Sequence, residues 1–282
     1  MEKKLNKIEY VIKGQEARKI TLDITYPETK KSLPVIVFVH GFKGFKDWGH
    51  FNWVANKFAE NGFAFFKFNF SYNGITPDNL YELTDLDAFS ENNYSKELKD
   101  LDLVLDFVIE QEEQLPINTK EIYIIGHSRG GGIAFLKSLE DKRIKKTVLW
   151  ASLSDFESFF RNDTVKEWEE NGVVMVENKR TKQLLPLKKQ FYDDYISNKK
   201  TLDIRQQAKL FDKPLLIIHG DKDESVDISH AEFLYNTIQH SIFIRVEQGD
   251  HTFGAKHPFN EVEDVTEMLE ELVENSVEFL LD

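Results

Sequence analysis

Cysteine is absent from all 282 residues. Disulfides, thiolate metal sites and a cysteine nucleophile are excluded, and the absence fits a reducing compartment. Long hydrophobic runs are also missing. No stretch of about 18 apolar residues occurs, so no transmembrane helix is expected. The opening MEKKLNKIEYVIKGQEARK holds no apolar run of signal-peptide length, which makes a cytoplasmic enzyme the simplest expectation. Basic residues are in deficit: 36 Lys and Arg face 49 Asp and Glu, a net charge of -13. Such a surface repels phosphate backbones and anionic lipid, so neither nucleic acid nor a membrane is expected as a partner. It also disfavours strongly anionic substrates, unless a local basic patch overrides it. Non-specific association is discouraged for the same reason. Internal repeats and low-complexity tracts are lacking. Gly126, Gly130, Gly131 and Gly132 match neither a dinucleotide fingerprint nor a phosphate loop, since no Lys-Ser/Thr follows them. No pair of histidines has metal-ligand spacing, and neither a metal nor a cofactor is expected.

What is present reads as one globular α/β unit. Hydrophobic residues make up 41% and charged residues 30%, and 23 Phe imply a core or pocket rich in rings. Residues 8–12 and 20–26 alternate polar with apolar around Gly14, as an antiparallel hairpin with one wet face would. Runs at 35–39, 63–68, 122–125, 147–150 and 215–218 are nearly continuous and apolar, which suits parallel strands buried on both faces. Residues 242–246 are a further strand candidate. Helical patterns lie between: 51–60, a stripe of Leu98, Leu101, Leu105 and Val108 capped by Ser95, 133–139, and 231–238. A closing helical pattern runs through Val262, Val265, Leu269, Val273, Val277 and Leu280. Between Trp150 and Pro214 lie about sixty residues, where a crossover needs only ~10–12. This predicts an inserted helical cap over 151–213, interrupting a core formed by 1–150 and 214–282. Its aromatics, with Trp48, are pocket candidates: Phe156, Phe160, Trp168 and Tyr192. The alternative use of these rings is to pack the insertion onto the body.

The chemistry centres on IYIIGHSRGGG. An apolar strand enters Gly126-His127-Ser128-Arg129-Gly130 and a helical segment leaves it, the context that gives G-x-S-x-G its meaning. A nucleophilic serine must be lifted clear of the sheet, so the chain turns sharply and strained backbone is expected at Ser128. The hydroxyl needs a base, and the base needs an orienting acid. Three carboxylates follow strand 215–218: Asp221, Asp223 and Asp227. Asp223 is preferred, because Val226 can anchor its loop inward, while Asp221 can cap the turn. His251 is the expected base, on the loop after the last strand, which gives the chain order Ser, Asp, His. His230, His240 and His257 lie on or beside helices or away from a strand end. The oxyanion donors are expected to be the backbone N–H of Arg129 and that of Phe42, in His40-Gly41-Phe42-Lys43-Gly44-Phe45.

HGFKGF, GHSRGGG, HGDKD and GDHTF together resemble the α/β-hydrolase family over essentially the whole chain. The resemblance implies an eight-stranded, mostly parallel sheet and a triad of Ser128, Asp223 and His251. FNFSYNG and LTDLDAFSENNYSKELKDLDLVLDF are similar to cap-bearing bacterial carboxylesterases, including the feruloyl (cinnamoyl) esterase-like and dienelactone hydrolase-related group. Dienelactone hydrolases proper use a cysteine, which this chain lacks. The expectation is a serine esterase acting on a small-molecule ester with an apolar or aromatic acyl group. A peptidase or amidase of the same fold is the first alternative, and a non-catalytic binding protein of that fold the second.

Overall fold

Eight strands form one sheet in the order β1-β2-β4-β3-β5-β6-β9-β10 in this computed structural model, which describes residues 4–282. The strands are β1 (Leu5–Lys13), β2 (Lys19–Pro27), β3 (Leu33–Val39), β4 (Ala64–Phe68), β5 (Ile117–His127), β6 (Ile144–Trp150), β9 (Leu215–Gly220) and β10 (Ser241–Val246). β1 pairs antiparallel with β2, and β2 with β4; every other pairing is parallel. The alternating hairpin sits at one edge, where one face meets water. The continuous apolar runs fill the centre, where helices cover both faces. This is the α/β-hydrolase fold expected above, and it sends the C-terminal ends of β3, β5, β9 and β10 to a single edge.

The abundance of Phe has a direct structural use. Phe38 lies 4.5 Å from Phe51 and 5.8 Å from both Phe65 and Trp150, ring centre to ring centre. These rings join β3, β4 and β6 to helix α1 (Phe51–Glu60). Burying each Phe contributes about 1.5–3 kcal/mol.

Helices α2 (Leu86–Ser90) and α3 (Tyr94–Glu110) precede β5, and α4 (Arg129–Glu140) follows it. The cap of α3 is Asn93, not Ser95: the Asn93 side chain accepts from the Lys96 N–H at 2.8 Å. Asn suits that position at least as well as Ser, and Ser95 falls inside the first turn. The stripe on α3 buries Leu101, Leu105 and Val108, but also Glu97 and Asp100. Asp100 accepts from the Ser71 N–H at 2.7 Å and from Gln15 at 3.1 Å, which pins the segment after β4.

Residues 151–213 carry short helices α5 (Asn162–Asn171), α6 (Gln190–Ser197), α7 (Lys199–Leu202) and α8 (Ile204–Gln207). They also carry an antiparallel hairpin of β7 (Val173–Asn178) and β8 (Gln183–Lys188), where only helix was expected. The run VVMVEN alternates too briefly to stand out between charged neighbours. The hairpin docks on the body: Leu185 is buried with Phe45, Leu83 and Phe89, and the Gln183 amide donates to the Leu83 carbonyl at 2.9 Å. After β9 come α9 (Ser229–Thr237), β10 and the closing helix α10 (Glu267–Leu281). Val262 and Val265 precede α10 instead of belonging to it. Thr266 caps the helix by accepting from the Leu269 N–H, and Val262 is 89% exposed.

Candidate active site

Ser128 occupies the single residue between β5 and α4, with φ 58° and ψ −126°. That left-handed backbone costs on the order of 1–3 kcal/mol and persists only where its surroundings hold it. The Ser128 N–H donates to the Trp150 carbonyl at 2.9 Å, and its own carbonyl accepts from Gly131 at 3.0 Å. Close packing does the rest. A β-carbon at Gly130 would run into the carbonyl oxygens of Val39 and His40, so only glycine lets α4 begin beneath the loop after β3.

The loops after β9 and β10 bring Asp223 and His251 to this elbow. His251 Nε2 lies 2.9 Å from Ser128 Oγ, and its Nδ1 lies 2.7 Å from Asp223 Oδ2. With Nδ1–H donating to Asp223, Nε2 is free to accept from the serine hydroxyl. The other Asp223 oxygen accepts from the Ser225 and Val226 N–H groups, both at 2.8 Å. Burial pushes the Asp223 carboxyl up, but hydrogen bonds from His219 and His251 and the Val226 N–H outweigh it and hold the group well below the usual carboxylate range. The carboxylate is therefore ionised at neutral pH. Asp221 and Asp227 serve turns: Asp221 accepts from Gln248 N–H at 2.8 Å and Asp227 from Ser229 N–H at 2.9 Å.

Two further histidines stand behind this line. His127 Nε2 donates to the His251 carbonyl at 2.9 Å, which fixes the backbone of His251. Burial pushes the His127 ring down to about 3, so it stays neutral. His219 Nε2 donates to the Val226 carbonyl at 2.8 Å and lies 3.3 Å from Asp223 Oδ2. Their positions at strand ends were visible in the sequence, but supporting hydrogen bonds leave no spacing signature. The other histidines do not join the line. His230 Nδ1 accepts from Ser154 N–H at 3.0 Å, His257 Nδ1 accepts from Gly49 N–H at 2.9 Å, and His240 is exposed.

The loop after β3 presses directly on Ser128. A β-carbon at Gly41 would come within 2.8 Å of Ser128 Cβ, so glycine permits that approach. His40 Nδ1 donates to the Gly41 carbonyl at 2.9 Å, and burial pushes this ring down to about 4. Phe42 follows, with the Arg129 guanidinium 4.0 Å from its ring centre. Arg129 is itself buried and ion-paired with buried Glu97 of α3. The two residues expected to offer oxyanion donors thus have side chains in contact. Further along, a buried square of charges anchors the loop: Lys46 meets Asp23 at 2.6 Å, and Lys67 meets Asp23 at 2.8 Å and Asp47 at 2.6 Å. Burial pushes the Asp47 carboxyl up, but Lys67 and Lys46 hold it at about 2.

A cavity of about 270 Å³ opens beside Ser128 and His251, walled on one side by Phe42, Trp48 and Phe51. The turn of the β7–β8 hairpin, through Asn178 and Arg180, lines it as well.

The BD-FAE family profile matches residues 22–238. The chain belongs to the BD-FAE family of esterase domains. A protein of Mycoplasma pneumoniae (strain ATCC 29342 / M129) named as an esterase/lipase is 30% identical over 119 residues. That alignment covers 42% of this chain and 37% of the relative, so the match spans well under half of either protein. Among solved structures, Est1E of Butyrivibrio proteoclasticus with ferulic acid bound has a TM-score of 0.68 at 19% identity, covering 97% of this chain and 98% of that one. A protein described as a hydrolase from Agrobacterium vitis S4 has a TM-score of 0.71 at 17% identity, covering 99% of this chain and all of that one. At these identities the structures speak for the fold.

Within this BD-FAE domain the expected pocket rings divide. Trp48 lines the cavity. Phe156, Phe160, Trp168 and Tyr192 are not among its lining residues. Phe156 stacks on Tyr94 at 4.0 Å, beneath Gly132. Trp168 is fully buried, donates its Nε1–H to the Leu187 carbonyl at 2.7 Å and stacks against Tyr192 at 6.3 Å. Phe160 packs edge-on against Tyr192 at 5.2 Å. These rings pack residues 151–213 onto the body, with Tyr94 of α3 meeting Phe156 and, at 6.4 Å, Phe160, because the short helices there have little other apolar surface to bury.

Proposed function

We propose that this domain hydrolyses carboxylic esters through an acyl-enzyme on Ser128. The observation that carries the reading is the unbroken line from Asp223 through His251 to Ser128 Oγ, with the serine held on strained backbone at the strand end. Ser128 Oγ attacks the ester carbonyl carbon while its proton passes to His251 Nε2. Asp223 keeps the imidazole oriented and stabilises its cation. The Phe42 and Arg129 N–H groups receive the developing oxyanion, the second aided by the start of α4. Collapse breaks the bond to the alcohol, which leaves with the proton from His251. Water then gives a proton to His251 and attacks the acyl carbon, releasing the acid and restoring Ser128.

Phe42, Trp48 and Phe51 favour an apolar or aromatic acyl group against their wall of the cavity. Residues 151–213 act as a cap, with the β7–β8 turn beside the reacting centre. No helix among the described residues is long and apolar enough to cross a membrane. The cysteine-free composition suits a reducing compartment such as the cytoplasm.

The test is turnover of activated aryl esters by Ser128→Ala. Turnover is expected to vanish while thermal unfolding stays cooperative. Turnover within tenfold of the parent would overturn the mechanism.

A further inference from the structure

The cavity beside Ser128 carries a feature that its apolar wall does not explain. Its lining also includes Lys43, Lys179 and Arg180. Lys43 comes from the loop after β3, with φ 59°, and its Nζ donates to the Glu177 carbonyl at 3.0 Å, tying that loop to the hairpin. Lys179 and Arg180 follow at the hairpin turn and are exposed. The nearest carboxylate in sequence, Glu177, is engaged by Lys182 at 3.3 Å. Among the described residues, salt bridges are formed by neighbouring basic residues such as Lys182 and Lys188, and none by Lys43, Lys179 or Arg180. Burial and the nearby charges of Arg129 and Lys179 push the Lys43 ammonium down, with Glu177 opposing.

This clustering runs against the whole molecule. Acidic residues outnumber basic ones by 49 to 36, yet three cations that form no salt bridge among the described residues line one cavity. Glu177, shared with Lys182, offsets this only in part; like charges held together repel one another, and an anion arriving from solution relieves that repulsion. A guanidinium and two ammonium groups match a carboxylate well, since the Arg fork can take both oxygens.

Building on the esterase reading, we propose that the ester this domain prefers carries a carboxylate remote from the scissile bond, and that Lys43, Lys179 and Arg180 bind it. The acyl carbon sits at Ser128, the apolar part of the substrate lies along Phe42 and Trp48, and the carboxylate reaches the basic rim. The general acidity of the surface then excludes anions elsewhere, while this rim selects them at the site.

The experiment uses two matched pairs of aryl esters with the full chain. One pair has a distal carboxylate on the acyl chain, free or methyl-capped. The other has the carboxylate on the leaving phenol, free or capped. In at least one pair the free acid is expected to show kcat/KM about tenfold higher at low ionic strength, mainly through KM, and the advantage should shrink in high salt. The double variant Lys179→Glu/Arg180→Glu should bring that ratio to one or below. Both positions are exposed turn residues, so folding is not at stake, and Lys43→Gln should lower the ratio separately. Capped esters matching or exceeding the free acids in both pairs would overturn the proposal, as would a preference that survives charge reversal. Turnover of capped esters without an acid preference defeats this inference alone. Turnover of no ester defeats the esterase reading beneath it.

Discussion

Asp223 keeps its charge although its side chain is fully buried, because four polar groups converge on its two oxygens: Ser225 N–H, Val226 N–H, His251 and His219. A buried carboxylate in that environment holds one tautomer of His251, with the proton on Nδ1 and the lone pair on Nε2 facing Ser128. Asp223→Asn would remove the charge and let an amide donor face Nδ1, favouring the opposite tautomer. The expected result is a fall in kcat of about 10³–10⁴ with KM changed little. Steady-state rates on one aryl ester measure it, and a fall smaller than tenfold would contradict the assignment. Asp221→Asn serves as the comparison. Its carboxylate caps the Gln248 turn, so kcat should stay within about twofold. His127 and His219 act at this scale too, one on the backbone of His251 and the other on the loop carrying Asp223.

At the scale of elements, legibility followed the strength of periodic signals. Strands β3 and β9 were readable as nearly unbroken buried apolar runs, and β5 and β6 only in their buried C-terminal halves, 122–125 and 147–150, since NTKE and KK near their starts are polar and partly exposed. The elbow was readable because Ser128 needs glycine close behind it, and that need leaves a mark in the sequence. Hairpin β7–β8 was not, since half of each strand faces out and its turn is a run of charge. The start of α10 was misplaced for a related reason: Val262 and Val265 continue the helical spacing by chance, while the Thr266 cap decides where the helix begins. Glu97 and Asp100 lie beside the apolar stripe of α3, and both are buried although charged. Glu97 pairs with Arg129 and Asp100 holds Ser71. Such partners come from distant segments, so one chain's local pattern cannot announce them. The aromatic residues of 151–213 were legible as a cluster, but whether they face a substrate or one another is a tertiary matter.

Across the whole molecule, the site edge concentrates buried histidines, and that sets how the fold responds to acid. Burial pushes His40 down to about 4, and His50 and His127 down to about 3. An unfolded histidine titrates near ~6.5, so between that pH and about 4 the unfolded chain binds more protons than the folded one. Stability therefore falls as pH drops through this window, by about 1.4 kcal/mol per pH unit for each histidine, or ~4 for the three together. Urea unfolding at pH 7, 6 and 5 should show midpoints that move steadily downward. A midpoint constant from pH 7 to 5 would contradict the neutral, buried state of these rings. Asp223 contributes with the same sign at lower pH: its stabilisation is present above the unfolded carboxyl value and is lost as pH falls toward its depressed folded value.

The central claim is that Ser128 is the nucleophile of an esterase. The most direct measurement is to treat the protein with a fluorophosphonate probe and map the modified peptide by mass spectrometry. The geometry predicts a single adduct on Ser128, formed rapidly in the parent and slowed at least about a hundredfold in His251→Ala, since the hydroxyl would lose its base. No adduct, or an adduct on another residue, would contradict the account.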